Sequence, residues 1–146
     1  MDERMSLALE VQAFAEKQLC PMEASAYTDV EQWNQMQRQL VRALADLERM
    51  EGTTPQEEGE VVLALLMGYG VAVRSGARIA RVLKRAAQVM PCLTDKVLKC
   101  KLAAHCYVEY PDAVLLDTAR ILIAELKREG RGKEILRVEE FLSDEL

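Results

Sequence analysis

The thirteen residues from Val61 to Val73, VVLALLMGYGVAV, carry no charge and follow directly on a helix-start signal. Thr54, Pro55 and Glu57 fit the N-cap, the first helical turn and the N3 position. There a threonine hydroxyl accepts from the N3 amide, an N3 glutamate reaches back to the cap amide, and proline loses nothing because its missing N–H has no partner anyway. On a helical wheel the run is apolar on every side, so this helix must be buried all round. It is too short to cross a membrane, which takes ~20 apolar residues.

The rest of the chain supplies more helices. With 146 residues, 50% of them hydrophobic, it is long enough for one domain with a core of its own. Aromatics make up only 5%, and Leu, Ala, Val, Glu and Arg dominate, which favours helices over sheets. We therefore expect a single all-α domain of six or seven helices packed as antiparallel hairpins: an N-terminal pair over residues 1–52, central hairpins over 54–130 and a short final helix over 132–146.

The first helix should run from about Asp2 to Leu19, with Leu7, Val11, Phe14, Ala15 and Leu19 on its inner face, and end at Pro21. A second capping box, Thr28 with Glu31, opens a long helix that lines up Val30, Trp33, Met36, Leu40, Leu44 and Leu47. Gly52 closes it. Gly68 and Gly70 should weaken or end the third helix near Tyr69. After a turn near Ser75 and Gly76, the fourth helix carries Ile79, Val82, Leu83, Ala86 and Met90 and stops at Pro91. Thr94 or Asp95 caps the fifth, which runs through Tyr107. Beyond Pro111 and Asp112 a sixth holds Leu115, Ala119, Leu122 and Leu126 and ends at Gly130 or Gly132, and a seventh uses Ile135, Val138 and Leu142. A faint internal echo, Ala80–Leu83 with Ala119–Leu122 and Gly68–Tyr69 with Cys106–Tyr107, leaves a two-helix repeat open beside two ordinary hairpins.

Catalytic and metal signatures are missing from the sequence. Cys20, Cys92, Cys100 and Cys106 include no C-x-x-C pair, and read as buried hydrophobes with unremarkable thiols kept reduced in a cytosol. His105 and Cys106 are adjacent, so on one helix their side chains diverge by about 100° and cannot act as base and nucleophile. Gly68-Tyr-Gly70 has neither a third glycine nor a preceding strand, so it is no dinucleotide fingerprint. Glu57-Glu58 and Glu139-Glu140 lack the spacing of an acid and base pair. No enzyme, cofactor or metal is expected. The N-terminal MDERMSLALE has early acids and no apolar core or cleavage site, so no secretory signal is read there and a cytoplasmic location is expected.

Charge is distributed unevenly. The net charge is −5, yet residues 74–101 hold eight Lys and Arg against one acid, whereas residues 1–73 hold five against thirteen. Arg74, Arg78, Arg81 and Arg85 are spaced by 4, 3 and 4, which places them on one side of the fourth helix. Three readings compete for this stripe. The arginines can pair with acids of neighbouring helices, such as Glu57, Glu58 and Glu60; they can form a protein-docking surface, since arginine makes bidentate carboxylate pairs at interfaces; or they can meet nucleic acid, which the acidic total and scarce aromatics disfavour. Tyr107 and Tyr110 flank Glu109 where the fifth helix emerges, and form a second candidate partner-binding surface. Against that stands the plain alternative, that Tyr69 and Tyr107 are helix-end core residues with their hydroxyls bonded at the rim.

The words T-P-Q-E-E (54–58), L-A-L-L-M-G-Y (63–69), L-K-C-K-L (98–102) and C-Y-V-E (106–109) resemble the UpxZ family of bacterial transcription antitermination antagonists. The likeness spans roughly Thr54 to Glu125, about half the chain. It implies a small cytoplasmic helical protein from a capsular polysaccharide locus, not an enzyme, that interferes with NusG-like antiterminators, the UpxY proteins, of other capsule loci. It carries over no binding residue position by position. Combined with the charge map, it points to a binding protein with Arg74, Arg78, Arg81, Arg85, Tyr107, Glu109 and Tyr110 as candidate contacts, a NusG-like protein as partner, and neither nucleic acid nor membrane. The bipolar charge also permits a homodimer. The runner-up is a helical-repeat adaptor that binds a peptide in a groove.

Overall fold

Placing a helix that is apolar on all sides requires neighbours on all sides, and the computed structural model, which describes residues 3–19, 30–72 and 76–146, provides them. Seven α-helices are present among the described residues: α1 Glu3–Leu19, α2 Val30–Glu48, α3 Pro55–Val71, α4 Gly76–Val89, α5 Lys96–Glu109, α6 Ala113–Arg128 and α7 Leu136–Phe141. Short 3₁₀ turns cover Met90–Cys92 and Gly132–Ile135, and those residues contain no strand. None of the helices described is long and apolar enough to cross a membrane.

The third helix is the central post. Gly59 and every residue from Val61 to Tyr69 are buried, and α1, α2, α4 and α5 all pack against it. Val62, Leu65, Leu66 and, across on α5, Leu102 lie in the core. The helix does not end at the glycine pair as expected but continues to Val71. Gly68 is a packing position instead: a Cβ there would lie 2.4 Å from Leu44 Cδ2 and 3.2 Å from Val11 Cγ1, so the missing side chain lets α1 and α2 approach the α3 backbone.

Local chemistry sets the helix ends. The Thr54 hydroxyl accepts from the Glu57 amide at 3.1 Å, as expected, and the Glu57 carboxylate reaches back to accept from the Thr53 amide at 3.0 Å and the Thr53 hydroxyl at 2.6 Å. Gly52 lies past the end of α2, and its amide donates to Glu58 Oε1 at 3.2 Å; the close backbone of Glu58 leaves no room for a Cβ. Asp95, not Thr94, caps α5 through the Val97 and Leu98 amides, and Asp112 caps α6 through Val114. At the far end of α6 the amide of Arg131 bonds the Leu126 carbonyl and that of Gly130 bonds Lys127, with Gly130 at φ +76, a Schellman stop that requires glycine.

Two hairpins, α3–α4 and α5–α6, meet where α5 packs on α3. Glu58 near the start of α3 pairs with Arg85 late in α4, and Lys96 at the start of α5 pairs with Glu125 and Glu129 at the end of α6, so each pair runs antiparallel. Leu98, Leu102 and Cys106 of α5 join the core around α3, while Cys100, Ala103 and Ala104 join a second cluster with Leu122, Leu126, Ile135, Val138 and Leu142. The echoed words fall on the second helix of each hairpin, Ala80–Leu83 on α4 and Ala119–Leu122 on α6, but on different faces: Ala80 is exposed where Ala119 is buried, and Val82 is buried where Ile121 is exposed.

Some inner faces differ from the sequence reading. On α1 the buried residues are Ala8, Val11 and Ala15, with Leu7 and Phe14 only half-buried, because the small side chains are what fit against α3. On α2, Val30 is 74% and Trp33 40% exposed, and the buried stripe begins at Met36. Gln37 is buried beside it, donating to the Val71 carbonyl at 3.1 Å and so satisfying the end of α3. The Thr28 cap, Pro21 and Cys20 lie outside the described residues.

This packing predicts that Leu66→Asp, which buries a charge without a partner, lowers stability by several kcal/mol. It predicts a net loss of about 1 kcal/mol for Gly68→Ala, the clash with Leu44 outweighing the gain in helix propensity. Chemical denaturation of the two variants checks both, and a Gly68→Ala protein more stable than the parent would contradict the close approach.

Candidate functional site

The arginine stripe sits on α4, whose inner residues Ile79, Val82, Ala86 and Val89 pack inward and leave the guanidiniums on the flank facing the end of α2. Arg85 is the most enclosed. Its Nε and Nη2 form a bidentate pair with Glu58 at 2.9 and 2.8 Å, and the same group donates to the carbonyls of Met50 at 2.8 Å and Glu48 at 3.4 Å. A single planar fork thus joins α4 to the first turn of α3 and to carbonyls at the end of α2 that have no helical partner.

Glu48, in the last turn of α2, is the second hub. Its Oε1 accepts from the Tyr69 hydroxyl at 2.8 Å, while Oε2 faces Arg78 Nη1 at 3.6 Å and Arg81 Nη2 at 3.9 Å. Burial chiefly raises the Tyr69 pKa, and the hydroxyl stays protonated as the donor in this contact. Arg78 and Arg81 remain 44% and 64% exposed, so these two ion pairs are loose and solvated. Together Ala45, Glu48, Arg49, Arg78, Arg81 and Arg85 line most of an open groove of ≈ 390 Å³ between α2 and α4.

The expected acid partners are thus only partly right. Glu58 does pair with the stripe, but Glu57 turns to Thr53, and Glu60 accepts from Gln12 Nε2 at 2.8 Å. Glu48 was not anticipated, since nothing in the sequence links it to residues thirty and more positions away. Arg49 and the Met50 carbonyl were likewise missed. Arg74 lies outside the described residues.

Tyr107, Glu109 and Tyr110 belong to a different part of the fold. The Tyr107 hydroxyl donates to Glu145 Oε2 at 3.1 Å, and its ring packs on the second core cluster. Glu109 is half-buried at the end of α5, and Tyr110 is the C-cap, 63% exposed, with its amide donating to the Cys106 carbonyl. Exposed Val108 and Val114 are its sequence neighbours on either side of the turn.

Of the other reactive groups, Cys92 is exposed in the turn after α4, against the expectation of burial, because the chain leaves the core there, whereas Cys100, Cys106 and His105 are packed. Cys100 and Cys106 are buried, and loss of hydration pushes their thiols up to about 11 and about 12, which disfavours the reactive thiolate. The His105 ring lies 4.7 Å from that of Phe141, and burial, with a smaller push from Lys101, lowers its pKa to about 4. Among the described residues no group of three or more His, Cys, Asp or Glu could hold a metal ion.

The class of molecule is then plain: an all-helical protein whose polar side chains in this region tie helix ends together around an arginine-lined groove. The profile of the UpxZ family of transcription anti-terminator antagonists matches residues 8–108, more than half of the chain, and the protein belongs to that family. Its fold is similar to the crystal structure of the transcription anti-terminator antagonist UpxZ from Bacteroides uniformis, with a TM-score of 0.79 at 22% identity over 99% of this chain and 96% of that one. None of the curated proteins matches the chain.

Two predictions follow the geometry. Arg85→Met strands the Glu58 carboxylate and two carbonyls and should cost roughly 2 kcal/mol or more, against about 1 kcal/mol for Tyr69→Phe, as read by urea denaturation. Between pH 6.5 and about 4 the unfolded chain binds a proton at His105 that the folded chain refuses. That share of stability is intact above about pH 6.5 and drains as pH falls, by up to roughly 1.4 kcal/mol per unit. His105→Gln should therefore flatten the stability profile in that window, and an unchanged slope would contradict the burial.

Proposed function

We propose that this protein antagonises a NusG-like antiterminator of the UpxY type by binding it directly in the cytoplasm, and so represses competing capsular polysaccharide operons. The observation that carries this reading is the family match over residues 8–108, whose members are antagonists of transcription anti-terminators. An antagonist needs no chemistry of its own. By occupying the antiterminator surface that must meet RNA polymerase or the leader RNA, it favours early termination.

For the contact surface we propose the exposed members of the arginine stripe, Arg78 and Arg81, with Arg74 as their sequence neighbour, and as a second region Tyr110 with Glu109 and Tyr107. Arg85 contributes by holding α4 in place. A second reading, a peptide-binding adaptor, draws support from an apolar groove of ≈ 280 Å³ between α1 and α2, lined by Leu7, Val11, Phe14, Met36, Leu40 and Ala43 among others. The two readings differ in the partner, a folded domain or a short segment.

Calorimetric titration against NusG-like antiterminators from several capsule loci should give saturable binding with at least one. Charge reversal at Arg78 and Arg81 should weaken it, chiefly through slower association because these side chains lie at the solvent edge. The absence of binding to every antiterminator would overturn the proposal; full binding by the doubly reversed protein would move the contact to the Tyr110 end.

A further inference from the structure

Helix α6 has one covered flank and one bare one. Ala119, Leu122, Ile123 and Leu126 turn inward, whereas Val114, Asp117, Ile121, Ala124 and Arg128 are all exposed. Their spacing of 3, 4, 3 and 4 gathers them into one stripe on the side of the helix away from the core. Val114 and Ile121, 70% and 59% exposed, stand two turns apart on it. Isolated exposed apolar side chains are ordinary on a protein surface. A repeat of threes and fours with an apolar residue every two turns is instead the seam along which one helix packs on another.

The charged members of the stripe indicate which helix that is. Asp117 and Arg128 are eleven residues apart, about 16 Å along the axis, and their midpoint falls between Leu122 and Ile123. The midpoint of Ile121 and Ala124 is the same. A two-fold axis at that point lays a second α6 alongside in the antiparallel sense, so that Asp117 meets Arg128 of the other copy twice and Ile121 meets Ala124 of the other copy twice. An unrelated partner would impose no such relation between the charges, whereas an isologous contact uses one patch twice and requires it.

Neither charge is strongly held within the chain. Asp117 lies 3.7 Å from Arg120 in an i,i+3 pair whose side chains are 66% and 47% exposed, an arrangement worth little. Arg120 has the Glu145 carbonyl as a further acceptor at 2.5 Å, and so is not left bare when Asp117 turns away. The Arg128 guanidinium forms no hydrogen bond or ion pair among the described residues and only adds to the positive field that lowers the Glu129 pKa.

We propose that the outer stripe of α6 is the contact of a two-fold symmetric homodimer, with Ile121 and Ala124 packed at its centre and Asp117 paired with Arg128 of the other copy at each end. A contact one helix wide belongs to the small class of interfaces, under ~1,200 Å², so the dimer forms and dissociates with concentration. No residue of the arginine groove lies on the stripe, and the inference does not depend on where an antiterminator binds.

Sedimentation velocity of the full-length chain over a concentration series tests the contact. The parent should pass from monomer to dimer below about 0.5 mM. Asp117→Arg and Arg128→Asp each set like charges against one another at both ends, and each should raise the dimer dissociation constant at least about tenfold. Mixed in equal amounts, the two variants should recover the parent's dimer, because each supplies at both ends the charge that the other lacks. Ile121→Asp, at an exposed position, should abolish the dimer while its melting temperature stays within a few degrees of the parent's, and thermal melts confirm that both charge variants are folded before mixing. A parent that remains monomeric at about 0.5 mM, charge variants that dimerise as the parent does, or a mixture of folded variants that stays monomeric while the parent dimerises would each overturn the contact. Antiterminator binding by a monomeric parent that Ile121→Asp abolishes would likewise overturn it and give the stripe to that partner.

Discussion

A helix without a solvent face can exist only where every side is covered and every backbone group is answered, and α3 imposes that requirement on the rest of this fold. Its uncharged run contributes the apolar area, and α1, α2, α4 and α5 cover it. Side chains from elsewhere also bond backbone carbonyls along it. Gln12 donates to the Glu60 carbonyl at 3.0 Å and Gln37 to that of Val71, each from a helix distant in sequence. In a dry interior such bonds matter less for their net strength than for the penalty of leaving the groups unmet.

The same logic divides the arginines. Arg85 is drawn inward because α2 ends beside it with bare carbonyls and α3 begins there with Glu58, so one cation answers both deficits. Arg78 and Arg81, two turns and one turn nearer the start of α4, reach Glu48 at longer range and stay 44% and 64% exposed. The spacing that gathers the side chains on one flank does not give them one role. A bracing residue and docking candidates coexist on a single helix face because the neighbouring helices end at different heights.

Much of this was legible in the sequence, where local chemistry sufficed. The start of α3, its full burial, the stop at Pro91 and the inner residues of α6 and α7 follow from capping and periodicity, and the family words lie largely in buried stretches of α3 and α5. Reading failed where the outcome depended on distant partners. Trp33 and Val30 carry the apolar pattern of α2 yet stay exposed in its first turns, and Gly68 looked like a helix terminator because its close neighbours, Leu44 and Val11, come from other helices. Glu48 was invisible for the same reason, being one acid among many until folding brings Tyr69, Arg78 and Arg81 to it. The fold shared with the Bacteroides uniformis structure at 22% identity fits this division, since a scaffold set by periodicity and caps survives wide change in surface residues.

The central claim, that α3 is the post from which both hairpins hang, is tested most directly by native-state amide hydrogen exchange. The amides of residues 61–69 should exchange only through global unfolding, with the highest protection in the chain and a denaturant dependence equal to that of the whole molecule. If those amides instead opened by a local route while α6 stayed protected, the hairpin of α5 and α6 would be the independent unit and the account given of α3 would be wrong.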